Sequence, residues 1–161
     1  MPQDPLGTLR LLHGSCKPEC LAKGCGRGNC TLRLPPRATV SVDCDRCRAF
    51  RTRKKRPDFV VLHAGDAAQL TRWFVVEMKQ GDVTDRRRVV EQLQEGATTV
   101  EQHASFRIPG APGDIVPLLL YGGRIHAADV QVLRRQKLVR FRGRALPVQV
   151  RRCGTRLIDL A

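Results

Sequence analysis

The amino-acid sequence predicts an α/β fold with a mixed central sheet flanked by helices. Phe59–His63 and Arg72–Lys79 are nearly all-apolar runs of strand length, which is typical of central strands buried on both faces. A segment with apolar residues at helical spacing follows them, and a further apolar run covers 114–121. Strands followed by a helix and another strand predict an α/β sheet, and 161 residues suffice for one such domain.

The elements are predicted in chain order. Residues 6–12 favour a short helix or strand, and 38–42 alternate apolar and polar side chains as a strand does. Thr84 is placed to cap the helix after the two apolar strands, and the helical spacing continues to about His103.

The C-terminal third predicts a strand, a helix and a hairpin. Pro117 lies inside the apolar run at 114–121 and indicates an edge or a break, because proline has no N–H for a sheet ladder. The remaining expectations are a short helix at 127–136, a hairpin at 138–152 that turns at Gly143, and a last extended piece at 156–160.

The first 37 residues differ in composition from the rest, so the sequence predicts a Cys-rich N-terminal extension at 1–37 and an α/β core at 38–161. Structural zinc prefers four thiolate or imidazole ligands in tetrahedral geometry. One candidate set of zinc ligands consists of Cys16, Cys20, Cys25 and Cys30. Cys44-x2-Cys47 has the spacing of a zinc knuckle, so this pair with two of the earlier cysteines is a second candidate set. An iron–sulfur cluster and free thiols are the alternatives to zinc.

The sequence indicates a cytoplasmic protein. No run of apolar residues is long enough for a membrane span, and the first residues lack the basic and apolar regions of a secretory signal. Seven cysteines, an odd number in a reducing compartment, argue against a disulfide framework and favour metal ligands or free thiols.

The charge predicts a polyanionic partner. The chain has 29 Lys and Arg against 15 Asp and Glu, a net charge of +14, and cations that neutralise phosphates release condensed counterions. A solvated basic surface is the alternative. A further basic cluster runs from Arg134 to Arg144, and Arg86 begins another. The run nearest the apolar strands, called the basic run below, is the predicted nucleic-acid-binding set and contains Arg46, Arg48, Arg51, Arg53, Lys54, Lys55 and Arg56.

Charged residues stand at the ends of the two apolar strands. Side chains alternate along a strand, so Glu77 and Lys79 point to one face while Met78 points to the other. If the strands are neighbours, Asp58 joins Glu77 and Lys79. Two carboxylates and an ammonium on one face form a divalent-metal site with an adjacent base or charge stabiliser. This pattern predicts an enzyme.

Pro57-Asp58 followed by Glu77-Met78-Lys79 resembles the PD-(D/E)XK nuclease superfamily, which includes restriction endonucleases, Holliday-junction resolvases and RecB-type nucleases. Gln92 and Leu93 on the following helix match part of the RecB-type pattern, and Gly96 stands where that pattern has a tyrosine. The resemblance covers roughly residues 38–125 and implies a restriction endonuclease-like core.

The function that this resemblance implies is metal-dependent hydrolysis of phosphodiester bonds in DNA, with RNA as an open alternative. Asp58 and Glu77 would hold Mg²⁺ or Mn²⁺. Lys79 would orient or help deprotonate the attacking water, and Gln92 would reach the same site from the helix. The alternative function is a catalytically inactive nuclease-fold protein that binds nucleic acid and carries a structural zinc.

Overall fold

The structure is a computed structural model, which describes residues 4–51, 55–66 and 70–160. A six-stranded mixed sheet forms its centre and helices flank it, which confirms the predicted fold class. The helices are α1 (Pro5–Ser15), α2 (Arg48–Arg51), α3 (Arg86–Gln102) and α4 (Ala127–Arg135). The strands are β1 (Leu21–Ala22), β2 (Gly26–Arg27), β3 (Cys30–Thr31), β4 (Thr39–Asp43), β5 (Phe59–His63), β6 (Arg72–Lys79), β7 (Ile115–Tyr121), β8 (Val139–Phe141), β9 (Arg144–Leu146) and β10 (Gln149–Arg152).

The sheet has the strand order β1-β4-β5-β6-β7-β10. Strands β1, β4, β5 and β6 pair antiparallel in succession, whereas β6, β7 and β10 pair in parallel. Strands β5 and β6 have the predicted bounds. They lie at the centre of the sheet, where apolar clusters cover the apolar side chains on both of its faces.

Strand β7 is also internal, although Pro117 indicated an edge. Pro117 pairs with Val75 of β6 on one side, and the ladder to β10 begins only at Leu118 on the other. Pro117 therefore lies before the part of β7 that pairs with both β6 and β10. An internal strand can hold a proline there, because its missing N–H falls outside the doubly paired stretch.

Helix α3 packs on one face of the sheet through Val89, Leu93 and Ala97. Asp85, one residue after the predicted Thr84, caps it by accepting a hydrogen bond from the backbone N–H of Arg88 at 3.0 Å. Gly96 lies so close to the sheet that a Cβ there would overlap Val75 and Pro57. The tyrosine of the RecB-type pattern would not fit at this packing distance.

The C-terminal part differs from the prediction in two places. Strands β8 and β9 form the predicted hairpin, with Gly143 in the turn at φ +74°. Strand β10 leaves that hairpin and joins the central sheet beside β7, because its apolar Val150 is buried there. Leu157–Asp159 is a single 3-10 turn rather than an extended piece.

Residues before the predicted boundary at 37 contribute to the sheet. Strand β1 pairs with β4, and β2 and β3 form a separate hairpin. The structure contains disulfides between Cys20 and Cys47 and between Cys30 and Cys153, which the sequence argued against. Because Cys30 bonds to the end of the chain, the four N-terminal cysteines do not form one cluster. The free cysteines in the described residues, all buried, are Cys16, Cys25 and Cys44.

Within the described ranges no helix is long and apolar enough to cross a membrane.

Candidate active site

The antiparallel pairing of β5 with β6 brings Asp58 to Glu77. Phe59 lies opposite Val76, so the preceding residue, Asp58, is level with Glu77. The backbone N–H of Asp58 donates to the Val76 carbonyl at 2.9 Å. Its carboxylate Oδ2 accepts a hydrogen bond from the backbone N–H of Met78 at 2.7 Å, which holds this side chain beside the end of β6.

Glu77 is the most deeply buried acid of the site, with 2% of its surface exposed. Its Oε1 lies 2.7 Å from Nζ of Lys79, and its Oε2 is buried with no hydrogen-bond partner in the residues the structure describes. The pKa of Glu77 is raised to about 7, chiefly by burial and also by the charge of Asp58, while Lys79 and a hydrogen bond from Gln92 act in the opposite direction. A buried carboxylate oxygen without a donor is unfavourable unless a cation meets it.

Gln92 connects α3 to this site. Its Oε1 accepts a hydrogen bond from Nζ of Lys79 at 3.3 Å, and its Nε2 donates to the carbonyl of Arg56 at 3.2 Å. The side chains of Glu77, Lys79 and Gln92 therefore form one chain of contacts on the α3 face. The structure brings all four predicted catalytic residues to this end of the sheet.

Beside Lys79 there is an open cavity of about 330 Å³ between the end of β6 and the start of α3. Its cationic lining consists of Lys79 and Arg88, and Asp82 and Asp85 supply its acidic groups. The predicted site is thus accessible from solvent on the side of the Lys79 ammonium.

No pattern in the sequence indicated Arg27, which lies on the other side of Asp58. Its Nε donates to Asp58 Oδ1 at 3.1 Å, and its terminal nitrogens contact Asp43 at 2.7 and 3.1 Å. Burial raises the pKa of Asp58, whereas the Met78 N–H and the Arg27 guanidinium oppose that shift. Arg27 stands between two glycines of a short hairpin, so only its tertiary approach to Asp58 reveals it.

The basic run is largely paired where the structure describes it. Arg46 lies 3.3 Å from Asp43, Arg56 lies 2.9 Å from Asp45, and Lys55 contacts Glu91. Arg48 is exposed at the start of α2. Arg53, Lys54 and the side chain of Arg51 lie outside the described residues.

A second group of cations, called the basic surface below, is exposed on α4, on the β8–β9 hairpin and on the segment between them. None of its members has an acidic side chain within ion-pair distance in the described parts of the chain. Arg140 donates its backbone N–H to Gln94 of α3, so the hairpin is attached to the helix that carries Gln92. The basic surface consists of Arg134, Arg135, Lys137, Arg140, Arg142 and Arg144.

The donor set fits a hard divalent cation rather than an all-protein cage. Among the described residues there is no group of three or more His, Cys, Asp or Glu side chains that could hold a metal. Asp58 and Glu77 supply two carboxylates, and Mg²⁺ is commonly bound through one or two carboxylates together with waters and substrate phosphates. The unpartnered Oε2 of Glu77 is the atom that such an ion would satisfy.

Comparisons of this chain with protein-family models, with curated proteins and with solved structures find no match.

Proposed function

We propose that this protein is a metal-dependent nuclease of the PD-(D/E)XK type with a restriction endonuclease-like core. The observation that carries the proposal is Glu77, whose carboxylate is buried with one oxygen bonded to Lys79 and the other without a partner among the described residues. An arrangement of this kind destabilises the fold, and a bound cation would remove that penalty.

In this proposal Asp58 and Glu77 hold Mg²⁺ or Mn²⁺. The bound ion would polarise the phosphodiester and lower the pKa of a coordinated water. Lys79 orients the attacking water and offsets negative charge on the scissile phosphate, a role supported by its position in the lining of the open cavity. Gln92 holds the Lys79 ammonium through its Oε1 and is itself anchored on the Arg56 carbonyl.

Nucleic acid is the substrate that the charge favours, and we propose DNA. A net charge of +14 exceeds what the fold needs for solubility. We propose that the basic surface makes the main contacts with the DNA phosphates. Its cations have no acidic partners in the described residues, whereas Arg46, Lys55 and Arg56 of the basic run have such partners. Binding of nucleic acid by the basic run as a whole stays a prediction.

Cleavage assays with plasmid, linear and single-stranded DNA, each with Mg²⁺, Mn²⁺ or EDTA, test this function. We expect cleavage that EDTA abolishes and that Lys79→Ala lowers by about 10²- to 10⁴-fold, the range for a group that manages a proton in the transition state. DNA binding by Lys79→Ala should persist. The matched control is Lys23→Ala, which removes an exposed lysine that lines a cavity with Thr39 and Ser41 rather than the cavity at Lys79, and this variant should cleave normally.

Two results would contradict the nuclease. Binding of DNA without cleavage under every metal condition would favour the inactive nucleic-acid-binding protein. Cleavage that Lys79→Ala leaves unchanged would show that another site, or a contaminating enzyme, is responsible.

A further inference from the structure

The N-terminal hairpin formed by β2 and β3 reaches the candidate active site through the side chain of Arg27. The guanidinium is shared among three acids: Nε lies 3.1 Å from Asp58 Oδ1, and one terminal nitrogen lies 2.7 Å from Asp43 and 3.0 Å from Asp45. It also covers the ring of Phe59 at 4.5 Å. Three-quarters of this side chain is shielded from solvent.

Arg27 approaches Asp58 from the face of the sheet opposite α3. Phe59 and Asp43 are partners in the β4–β5 ladder, and the Phe59 side chain packs in the apolar cluster that contains Val76 and Met78. Glu77 alternates with these residues along β6 and faces α3 instead. The guanidinium therefore contacts the Asp58 carboxylate from the face opposite Glu77.

Asp58 is consequently held by donors at both oxygens. Oδ1 accepts from Arg27 at 3.1 Å and Oδ2 accepts from the Met78 N–H at 2.7 Å. Neither donor comes from the α3 face, where Glu77 and Lys79 lie. Groups that hydrogen-bond a metal-binding side chain orient it, and they contribute to metal affinity without touching the ion.

The hairpin that carries Arg27 is fixed at its other strand. Cys30, which pairs with Arg27, forms the disulfide with Cys153 just after β10. The backbone N–H of Gly154 donates to the Thr31 carbonyl at 2.7 Å, and Arg33 donates to Thr155 at 2.9 Å. This anchoring keeps the guanidinium in place on a segment too short to have a core of its own.

We propose that Arg27 is a positioning residue of the active site, holding the Asp58 carboxylate from behind the sheet in the orientation that receives a divalent cation. The inference rests on the proposed function, in which Asp58 and Glu77 are the metal-binding pair. It makes the N-terminal hairpin a part of the site.

The test is Mn²⁺ binding, measured by calorimetry or electron paramagnetic resonance without DNA, on wild type, Arg27→Met, Arg27→Lys and Arg33→Met. We expect Arg27→Met to weaken binding by about 10- to 100-fold, the usual effect of losing a group that orients a metal ligand. Arg27→Lys should lose less, because it restores the charge but not the forked donors. Arg33→Met removes an exposed arginine of the same segment whose side chain donates to the Gly154 carbonyl, and it should bind like wild type.

A purely structural role for Arg27 makes a different prediction. Asp43→Asn removes the partner that Arg27 contacts twice but leaves the Asp58 bond available. If Arg27 acts only through stability, Asp43→Asn and Arg27→Met will weaken Mn²⁺ binding alike, and Arg27→Lys will not recover it. That outcome, or an unchanged affinity in folded Arg27→Met, overturns the inference while wild-type cleavage leaves the proposed function intact. Wild-type protein that neither binds Mn²⁺ nor cleaves DNA overturns both.

Discussion

Asp43 and Glu77 are both buried acids at the same end of the sheet, but their surroundings are opposite. Asp43 accepts hydrogen bonds from Arg27, Arg46 and the N–H of Asp45. Burial by itself would raise its pKa, yet these donors, with Arg27 the largest, hold the pKa below its ordinary value. Glu77 pairs with Lys79 through Oε1, its Oε2 has no hydrogen-bond partner in the described residues, and burial is the main cause that raises its pKa to about 7.

The difference separates a structural acid from a functional one. Asp43 has its charge neutralised inside the protein, so removing it should harm the fold. Glu77 has a charge that the protein leaves partly unmet, so removing it should harm the reaction and help the fold. Strongly perturbed, poorly satisfied acids are typical of sites that bind a cation or a proton during function.

The largest expected effect is on cleavage. Glu77→Gln keeps the shape of the side chain but removes the negative charge that would hold the ion. A bound ion contributes several kcal/mol of transition-state stabilisation, so its loss should lower the cleavage rate by about 10³-fold. Asp43→Asn should lower cleavage by less than about tenfold, because Asp43 acts only through Arg27. Single-turnover cleavage of plasmid DNA with Mg²⁺ measures both. Equal losses in the two variants would remove the distinction between these acids.

The next effect is on stability and has the opposite sign for Glu77. Its folded pKa is about 7 and its ordinary value is 4.5, so the folded protein binds the proton more tightly than the unfolded chain. Wild-type stability should therefore fall as pH rises from about 4.5 to 7, by up to about 3 kcal/mol. Glu77→Gln avoids this loss and should be the more stable protein at pH 8 in EDTA.

Urea unfolding at pH 5 and pH 8 measures this difference. The two proteins should be close in stability at pH 5 and diverge at pH 8. A Glu77→Gln variant that is less stable than wild type at pH 8 in EDTA would mean that the Lys79 ion pair outweighs the burial of Glu77.

Asp43→Asn should destabilise the protein by about 2 kcal/mol at pH 7, the scale of losing hydrogen bonds between charged groups at a largely buried site. The pKa of Asp43 is lowered in the folded state, so its stabilisation is present above its ordinary pKa of 3.8 and disappears as pH falls through the lower folded value. Urea midpoints of variant and wild type should thus converge in acid. A gap that persists unchanged at low pH would assign the loss to packing.

The sequence was sufficient for the part of this comparison that lies on regular strands. The apolar runs defined β5 and β6, and period-2 alternation then placed Glu77 and Lys79 on one face. Both placements depend on local periodicity, which a single sequence records well. Gln92 was assigned differently, through its resemblance to the RecB-type pattern on the helix that follows Lys79.

The contacts of Arg27 and the cysteines depend on tertiary approach, which local sequence does not record. Arg27 reaches Asp58 across 31 positions, and Cys30 reaches Cys153 across 123. The helix cap at Asp85 rather than Thr84 shows a smaller limit, since both residues have the oxygen that a cap requires. Only the backbone geometry at the start of α3 decides between them.

The smallest expected effect extends the comparison from acids to cations. Arg46, Lys55 and Arg56 have acidic partners, as Asp43 has basic ones, whereas Lys137, Arg142 and Arg144 have none in the residues described. Neutralising the second triple with glutamine should weaken DNA binding on the order of tenfold at physiological salt and lower the salt slope by about 0.9 per lost phosphate contact. Fluorescence anisotropy across a salt series, using the Lys79→Ala background to prevent cleavage, measures both quantities.

The matched control is the glutamine triple at Arg46, Lys55 and Arg56. Because each of these cations already has an acidic partner, its loss should change the salt slope by less than one unit and should instead reduce stability slightly. The opposite result, a large change in slope for this triple and none for Lys137, Arg142 and Arg144, would move the nucleic-acid interface to the basic run. It would also show that ion pairs of the free protein open when a phosphate competes for the cation. An ion pair within the protein would then mark an acid as structural, but it would not mark an arginine as structural.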